Sequence, residues 1–157
     1  MINMFINHSN QPVMCADKSI FLAGPTPRRN DVKSWRPEAC KYLQEHGFDG
    51  VVYVPELSTK EALFNYDNQI EWEWEALEKA SIILFWIPRE LPDMPAFTTN
   101  VEFGYYVRDT KVVYGRPDSS KLNSYLDRLY KRHHSDVKIF NDLNLLCCYA
   151  LELLENK

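Results

Sequence analysis

Three groups of residues in this 157-residue chain combine types and spacings suited to chemistry. The first is Thr98-Thr99-Asn100-Val101-Glu102-Phe103-Gly104, read as the start of a helix. A glutamate in a first helical turn lies near the positive end of the helix dipole, which favours the ionised carboxylate that a covalent nucleophile needs. The same Thr99-x-x-Glu102 spacing also fits a capping box, with the glutamate bonded back to Thr99. The second group is Gln69–Ala80, where Ile70, Glu73, Trp74, Leu77 and Ala80 recur on one helical face. Glu73 lies in or beside that apolar stripe, where a carboxylate is costly unless paired or used; the alternative is a stripe-edge residue reaching solvent. The third is Gly24-Pro25-Thr26-Pro27-Arg28-Arg29. A glycine there lets a ligand approach the backbone, and Arg28 or Arg29 can hold a phosphate or carboxylate, unless they simply face water. The segment is neither GxGxxG nor a Walker loop, so nothing in it points to a dinucleotide or ATP.

These groups need a scaffold, and the apolar pattern supplies one. Lys18–Ala23, Val51–Val54, Ile82–Ile87 and Lys111–Tyr114 are short apolar runs closed by Gly or Pro, and read as buried strands. Val137–Phe140 reads as a fifth strand. Helices are expected from Ser34 to His46, stopped by Gly47; from Asp67 to about Ala80; from Thr98-Thr99 to about Arg108; from Ser119 or Ser120 to about Arg132; and over Leu143–Leu154. Residues 1–17 are patternless and read as a loosely attached lead-in to one domain over 18–157. Such alternation predicts an α/β fold: a doubly wound, mainly parallel five-stranded sheet in a flavodoxin-like, Rossmann-like three-layer sandwich. With the runs numbered in chain order, the expected strand order is 2-1-3-4-5. Ligands in such sheets bind beyond the carboxyl ends of the strands, which is where loops 24–33, 55–66, 88–98 and 115–118 fall.

Composition excludes several classes. Lys+Arg 18 against Asp+Glu 22 gives a net charge of -4, so a broad surface for a nucleic acid polymer is not expected. No run approaches the roughly 20 apolar residues that span a bilayer, and MINMFINHSN lacks the basic-then-apolar pattern of a signal peptide. Cys15, Cys40, Cys147 and Cys148 form no metal-ligand pattern and read as reduced thiols of a cytoplasmic protein. No metal and no cofactor is expected. Trp35, Trp72, Trp74 and Trp86 read mainly as core, with one or two able to stack on a base; Trp35 is taken as a binding candidate.

Three segments, in order and spacing, resemble the nucleoside 2-deoxyribosyltransferase superfamily. They are Ile20-Phe21-Leu22-Ala23-Gly24-Pro25, the acidic Glu71–Glu75 helix ahead of Ala80-Ser81-Ile82-Ile83-Leu84, and Thr99-Asn100-Val101-Glu102-Phe103-Gly104. The similarity runs from about residue 18 to about 130 and is strongest to the second, deoxyribosyltransferase-like branch. The resemblance implies that Glu102 attacks C1′ of a deoxyribose and displaces the base. It implies that Glu73 orients the substrate and handles the proton on the base. It further implies substrate contacts from Gly24, Pro25, Arg28, Trp35, Thr99 and Asn100. The small-molecule partners implied are a nucleoside or nucleotide and a nucleobase. By analogy with retaining glycosidases, the two carboxyl groups should lie about 5–6 Å apart. The family pattern has a tyrosine on its first strand where Ile20 and Phe21 stand here. Transfer to another base is therefore set beside two alternatives: hydrolysis of deoxynucleoside monophosphates, and nucleotide binding without turnover. The resemblance also implies a homo-oligomer.

Overall fold

The computed structural model describes residues 3–59 and 62–156. Its elements are β1 (Phe5–His8), β2 (Ser19–Ala23), α1 (Arg36–Glu45), β3 (Val51–Val54), α2 (Tyr66–Lys79), β4 (Ile82–Trp86), α3 (Phe97–Tyr106), β5 (Val112–Gly115), α4 (Ser124–His133) and α5 (Leu143–Glu155). All strand pairs are parallel, and the order is β1-β3-β2-β4-β5.

Alternation along each strand splits the core in two, because successive side chains point to opposite faces. Ile20, Leu22, Val52, Val54, Ile82, Leu84, Trp86 and Val113 face α1 and α5. Phe21, Ala23, Val51, Tyr53, Ile83, Phe85, Val112 and Tyr114 face α2, α3 and α4. Both faces are covered, which is why β2 to β5 read as unbroken apolar runs rather than alternating ones. The predicted three-layer α/β sandwich is what forms.

The central four strands keep the expected order, and the edges differ. Phe5–His8, expected within a patternless lead-in, is a strand paired to β3. Val137–Phe140, expected as a fifth strand, contributes only one bridge, from Phe140 to Gly115. The cause lies in β1 itself, where only Asn7 is buried and Phe5 and Ile6 stay exposed. The short apolar run Met4–Ile6 is followed by polar residues and no Gly or Pro closes it, so this edge strand, held by backbone pairing, lacks the signature of the buried ones.

The helix boundaries have local causes. Gly47, at φ 82, ends α1 with Gly47 N–H to Gln44 O and Phe48 N–H to Leu43 O, a Schellman pair. The cap of α2 is Asn65, whose Oδ1 accepts from Asn68 N, in place of the expected Asp67. Helix α4 starts at Ser124 rather than near Ser119 or Ser120, because the Ser120 hydroxyl bonds Ile87 O and receives Arg89 N–H.

Candidate active site

Beyond the carboxyl ends of β2, β3 and β4 opens a cleft of about 850 Å³. Gly24, Pro25 and Arg28 line it from the loop after β2, Glu73 from α2, and Thr99 and Glu102 from α3. The three groups singled out from sequence therefore converge on one cavity.

Arg36 organises the wall. Sequence reasoning missed it, since an arginine opening a helix ordinarily faces water. Here it is 2% exposed, at the start of α1. Its Nε donates to Leu22 O at 2.9 Å and Nη2 to Gly24 O at 2.6 Å. Nη1 reaches Thr26 Oγ1 at 2.8 Å and Glu56 Oε2 at 2.7 Å. One planar fork thus fixes the end of β2 and ties it to the loop after β3.

Gly24 is required by the protein's own packing. A Cβ there would lie 2.1 Å from Trp86 O and 2.7 Å from Trp35 Cζ2. Trp35 packs behind the loop, with Nε1 donating to Pro25 O at 3.1 Å and the Arg36 guanidinium over its ring. The expected stacking of Trp35 on a ligand gives way to this supporting position, outside the cleft lining. Arg28 is exposed at the rim, its guanidinium 5.9 Å above the Phe97 ring. Arg29 points elsewhere and pairs with Asp31 and Asp93. Thr99 is buried in the lining. Asn100, expected at the substrate, lies outside the lining and accepts a bond from Arg89 Nη2 at 2.6 Å.

Glu73 sits where α2 overhangs the cleft. The buried face of α2 is Trp72, Ala76 and Leu77, while Trp74 is 60% exposed, so the stripe is turned by about one position from the predicted one. Glu73 borders it, held by Gln69 Nε2 at 2.9 Å; the same amide also donates to Pro55 O at 3.1 Å. Gln69 precedes Glu73 by four residues, a spacing that places both on one helical face and was a readable signal.

Glu102 does not form the capping box. Helix α3 starts at Phe97 after Ala96, which adopts the left-handed conformation at φ 60 and provides no side-chain cap. Glu102 is therefore in the second turn, past the reach of the helix N-terminus. Among the described residues none hydrogen-bonds its carboxylate, which faces Glu73 and the field of Arg36. Burial of the carboxyl in the cleft wall, reinforced by Glu73, pushes its pKa up to about 8, against a smaller opposing pull from Arg36. Burial raises Glu73 as well, while the Gln69 bond and Arg36 lower it. The expected dipole environment favouring an ionised Glu102 is thus corrected: the carboxyl lies beyond the first turn, desolvation governs it, and the pair keeps a proton near neutral pH.

Phe64, Tyr66 and Phe97 are 61%, 65% and 66% exposed and also line the cleft. Isolated in sequence, they gave no sign of the cavity. Among the described residues no group of three His, Cys, Asp or Glu side chains is placed to hold a metal, and no helix is long and apolar enough to cross a membrane.

A family model described as "nucleoside 2-deoxyribosyltransferase like" matches residues 17–119. That stretch runs from β2 to beyond β5 and includes Glu73, Glu102 and Arg36. No curated protein matches the chain.

Proposed function

The chain belongs to the nucleoside 2-deoxyribosyltransferase-like family, and from that membership we propose that it cleaves the base–deoxyribose bond of a 2′-deoxynucleoside through a covalent glycosyl-Glu102 intermediate and passes the sugar to another nucleobase. The observation that carries this reading is the pair of carboxyl groups in one cleft, sharing a buried environment and, among the described residues, without a directly bonded cation.

A pair holding one proton contains both functions the reaction needs. When the proton passes from Glu102 to Glu73, Glu102 becomes a carboxylate. As the C1′–N bond breaks, Glu102 stabilises the oxocarbenium-like sugar and then bonds to C1′. Glu73 gives its proton to the leaving base nitrogen. In the second half, an incoming base attacks C1′, its N–H proton goes to Glu73, and the Glu102 ester bond breaks. The proton count is restored and no electrons change hands. Gln69 holds Glu73 in place through both halves, and the Arg36 fork keeps the β2 loop beneath the sugar.

Hydrolysis of deoxynucleoside monophosphates is the second reading. It is favoured by Arg28, whose exposed guanidinium lies at the rim over Phe97 and, among the described residues, pairs with no carboxylate. The test is base release from the four 2′-deoxynucleosides and their 5′-monophosphates, with and without a second base. Glu102→Gln is expected to abolish release, and a 2-fluoro sugar analogue to label Glu102 as seen by mass spectrometry. Release undiminished in Glu102→Gln refutes the mechanism. Product carrying the second base identifies the transferase, and free sugar or sugar phosphate the hydrolase.

A further inference from the structure

Arg89 lies three residues past the end of β4 and is 5% exposed. Among the described residues its acceptors are all neutral oxygens. Nη1 donates to Pro95 O and Nη2 to Asn100 Oδ1 at 2.6 Å. Nε and Nη2 share Asn123 Oδ1 at 3.4 and 3.2 Å. Asn123 is itself buried and donates to Ser120 Oγ at 2.6 Å, and that hydroxyl receives Arg89 N–H at 2.9 Å. Burying a cation without an anionic partner is costly, so the arrangement calls for a reason beyond packing.

The placement supplies one. Residues 90–94 form a turn closed on itself by Glu90 and Met94 backbone bonds. Pro95 returns from that turn, Ala96 takes its left-handed conformation, and α3 begins. A left-handed alanine is sparsely populated and persists only where its surroundings over-determine it. Arg89 grips the residue before Ala96 and the fourth residue of α3, and ties both to the start of α4. One guanidinium sets the direction in which α3 leaves the loop. Glu102 is two residues past Asn100 on the same helix, so that direction aims its carboxyl.

We propose that Arg89, acting through Pro95 and Asn100, is a positioning residue that holds α3 so that Glu102 points at the anomeric carbon. This rests on the reading of Glu102 as nucleophile, and it moves Asn100 from substrate contact to support of the nucleophile helix.

The test uses Arg89→Lys, Asn100→Ala and the double variant in the full chain. Lysine keeps the charge, but its single nitrogen lacks the planar spread by which the guanidinium reaches three separated acceptors. Base release is measured on whichever deoxynucleoside or monophosphate the wild type turns over fastest. In parallel, ¹³C NMR follows the titration of the Glu102 carboxyl. Each single change is expected to lower kcat about tenfold or more, with KM within about twofold, because a misdirected nucleophile loses rate rather than binding. The Glu102 midpoint is expected to fall as the carboxyl swings toward water. The double variant is expected to be no slower than Arg89→Lys alone. Should Arg89→Lys not fold, Asn100→Ala decides alone. An unmoved midpoint with kcat within about twofold in Asn100→Ala overturns the proposal, as do effects that multiply in the double variant. If the wild type releases no base from any substrate, the proposed function fails. The NMR midpoint in the two variants then still decides whether Arg89 positions Glu102.

Discussion

Replacing Glu102 by glutamine should make the protein more stable, and by an amount that depends on pH. In the unfolded chain the Glu102 carboxyl titrates at its ordinary value of 4.5; in the cleft it titrates at about 8. Below pH 4.5 both states hold the proton, and no penalty is felt. Between the two values the unfolded chain releases its proton while the folded chain keeps it, so stability falls as pH rises. Above pH 8 both states are ionised, and the full penalty of a desolvated carboxylate facing Glu73 is present. One pH unit corresponds to about 1.4 kcal/mol, so the whole interval amounts to roughly 5 kcal/mol, or about 2–5 kcal/mol after allowing for the open cleft. Glutamine resembles the protonated acid at every pH and lacks this slope. For a chain of this size, each kcal/mol moves the melting temperature by about 2–4 °C.

The assay is thermal melting of wild type and Glu102→Gln, monitored by circular dichroism from pH 5 to pH 9. The variant should melt near the wild type at pH 5 and about 5–15 °C above it at pH 9. Other carboxylates are common to both proteins and largely cancel. Glu73→Gln should shrink the effect, since the like charge that helps raise Glu102 is gone. A difference between Glu102→Gln and wild type that stays constant from pH 5 to pH 9 would show that this carboxyl does not titrate in the interval. The buried-pair reasoning would fail with it.

The catalytic counterpart is a bell-shaped kcat/KM profile whose upper limb lies near pH 8, where the pair gives up its last proton; base release from pH 5 to pH 10 checks it, and a profile still rising past pH 9 contradicts it. Arg36→Met should cost about 3–5 kcal/mol in urea unfolding at neutral pH, because Glu56 loses its ion-pair partner and the Leu22 and Gly24 carbonyls lose their donor. A loss under about 1 kcal/mol would mean the fork does not hold the wall. Gly104→Ala should stabilise the isolated subunit by about 0.5–1 kcal/mol, since the new methyl meets nothing within 4 Å and α3 gains helix propensity. Phe97, Val101 and Tyr105, 66%, 72% and 75% exposed, repeat every fourth residue along α3 and suit a contact between copies. Light scattering should give a mass above one subunit that Val101→Asp reduces; a monomeric wild type refutes the contact.

What could be read from sequence follows from how each element is held. Strands β2 to β5 owe their place to burial on both faces, and that burial is written as apolar runs. Strand β1 is held by backbone pairing at an edge and lacks the closed apolar run of the buried strands. Glu73 was visible because a carboxylate beside an apolar stripe conflicts with its surroundings, and Glu102 through the expected helix start and the family motif around it. Arg36 and Arg89 were invisible for the opposite reason. Their partners are mostly carbonyls and amides brought together by tertiary packing, and nothing local separates such an arginine from one in solvent. The capping-box spacing at Thr99 was real as a pattern, but Ala96 starts the helix two residues before Thr98, and that start depends on the loop that Arg89 secures.

The disposition of Arg36 suits the pair to the proposed reaction. A guanidinium bonded directly to Glu102 would hold its carboxyl ionised well below neutral pH. It would compete for the lone pair that the proposed reaction directs at C1′ and leave no proton for the departing base. Arg36 instead gives its hydrogen bonds to Glu56, Thr26 and two backbone carbonyls. Its charge reaches Glu73 and Glu102 only as a field, lowering both without fixing either. Desolvation pushes both carboxyls up and Arg36 draws them back, and the balance keeps a proton on the pair near neutral pH. That state is the one from which a nucleophile and an acid can both be drawn, and the cost to folding is the pH-dependent loss of stability that Glu102→Gln should remove.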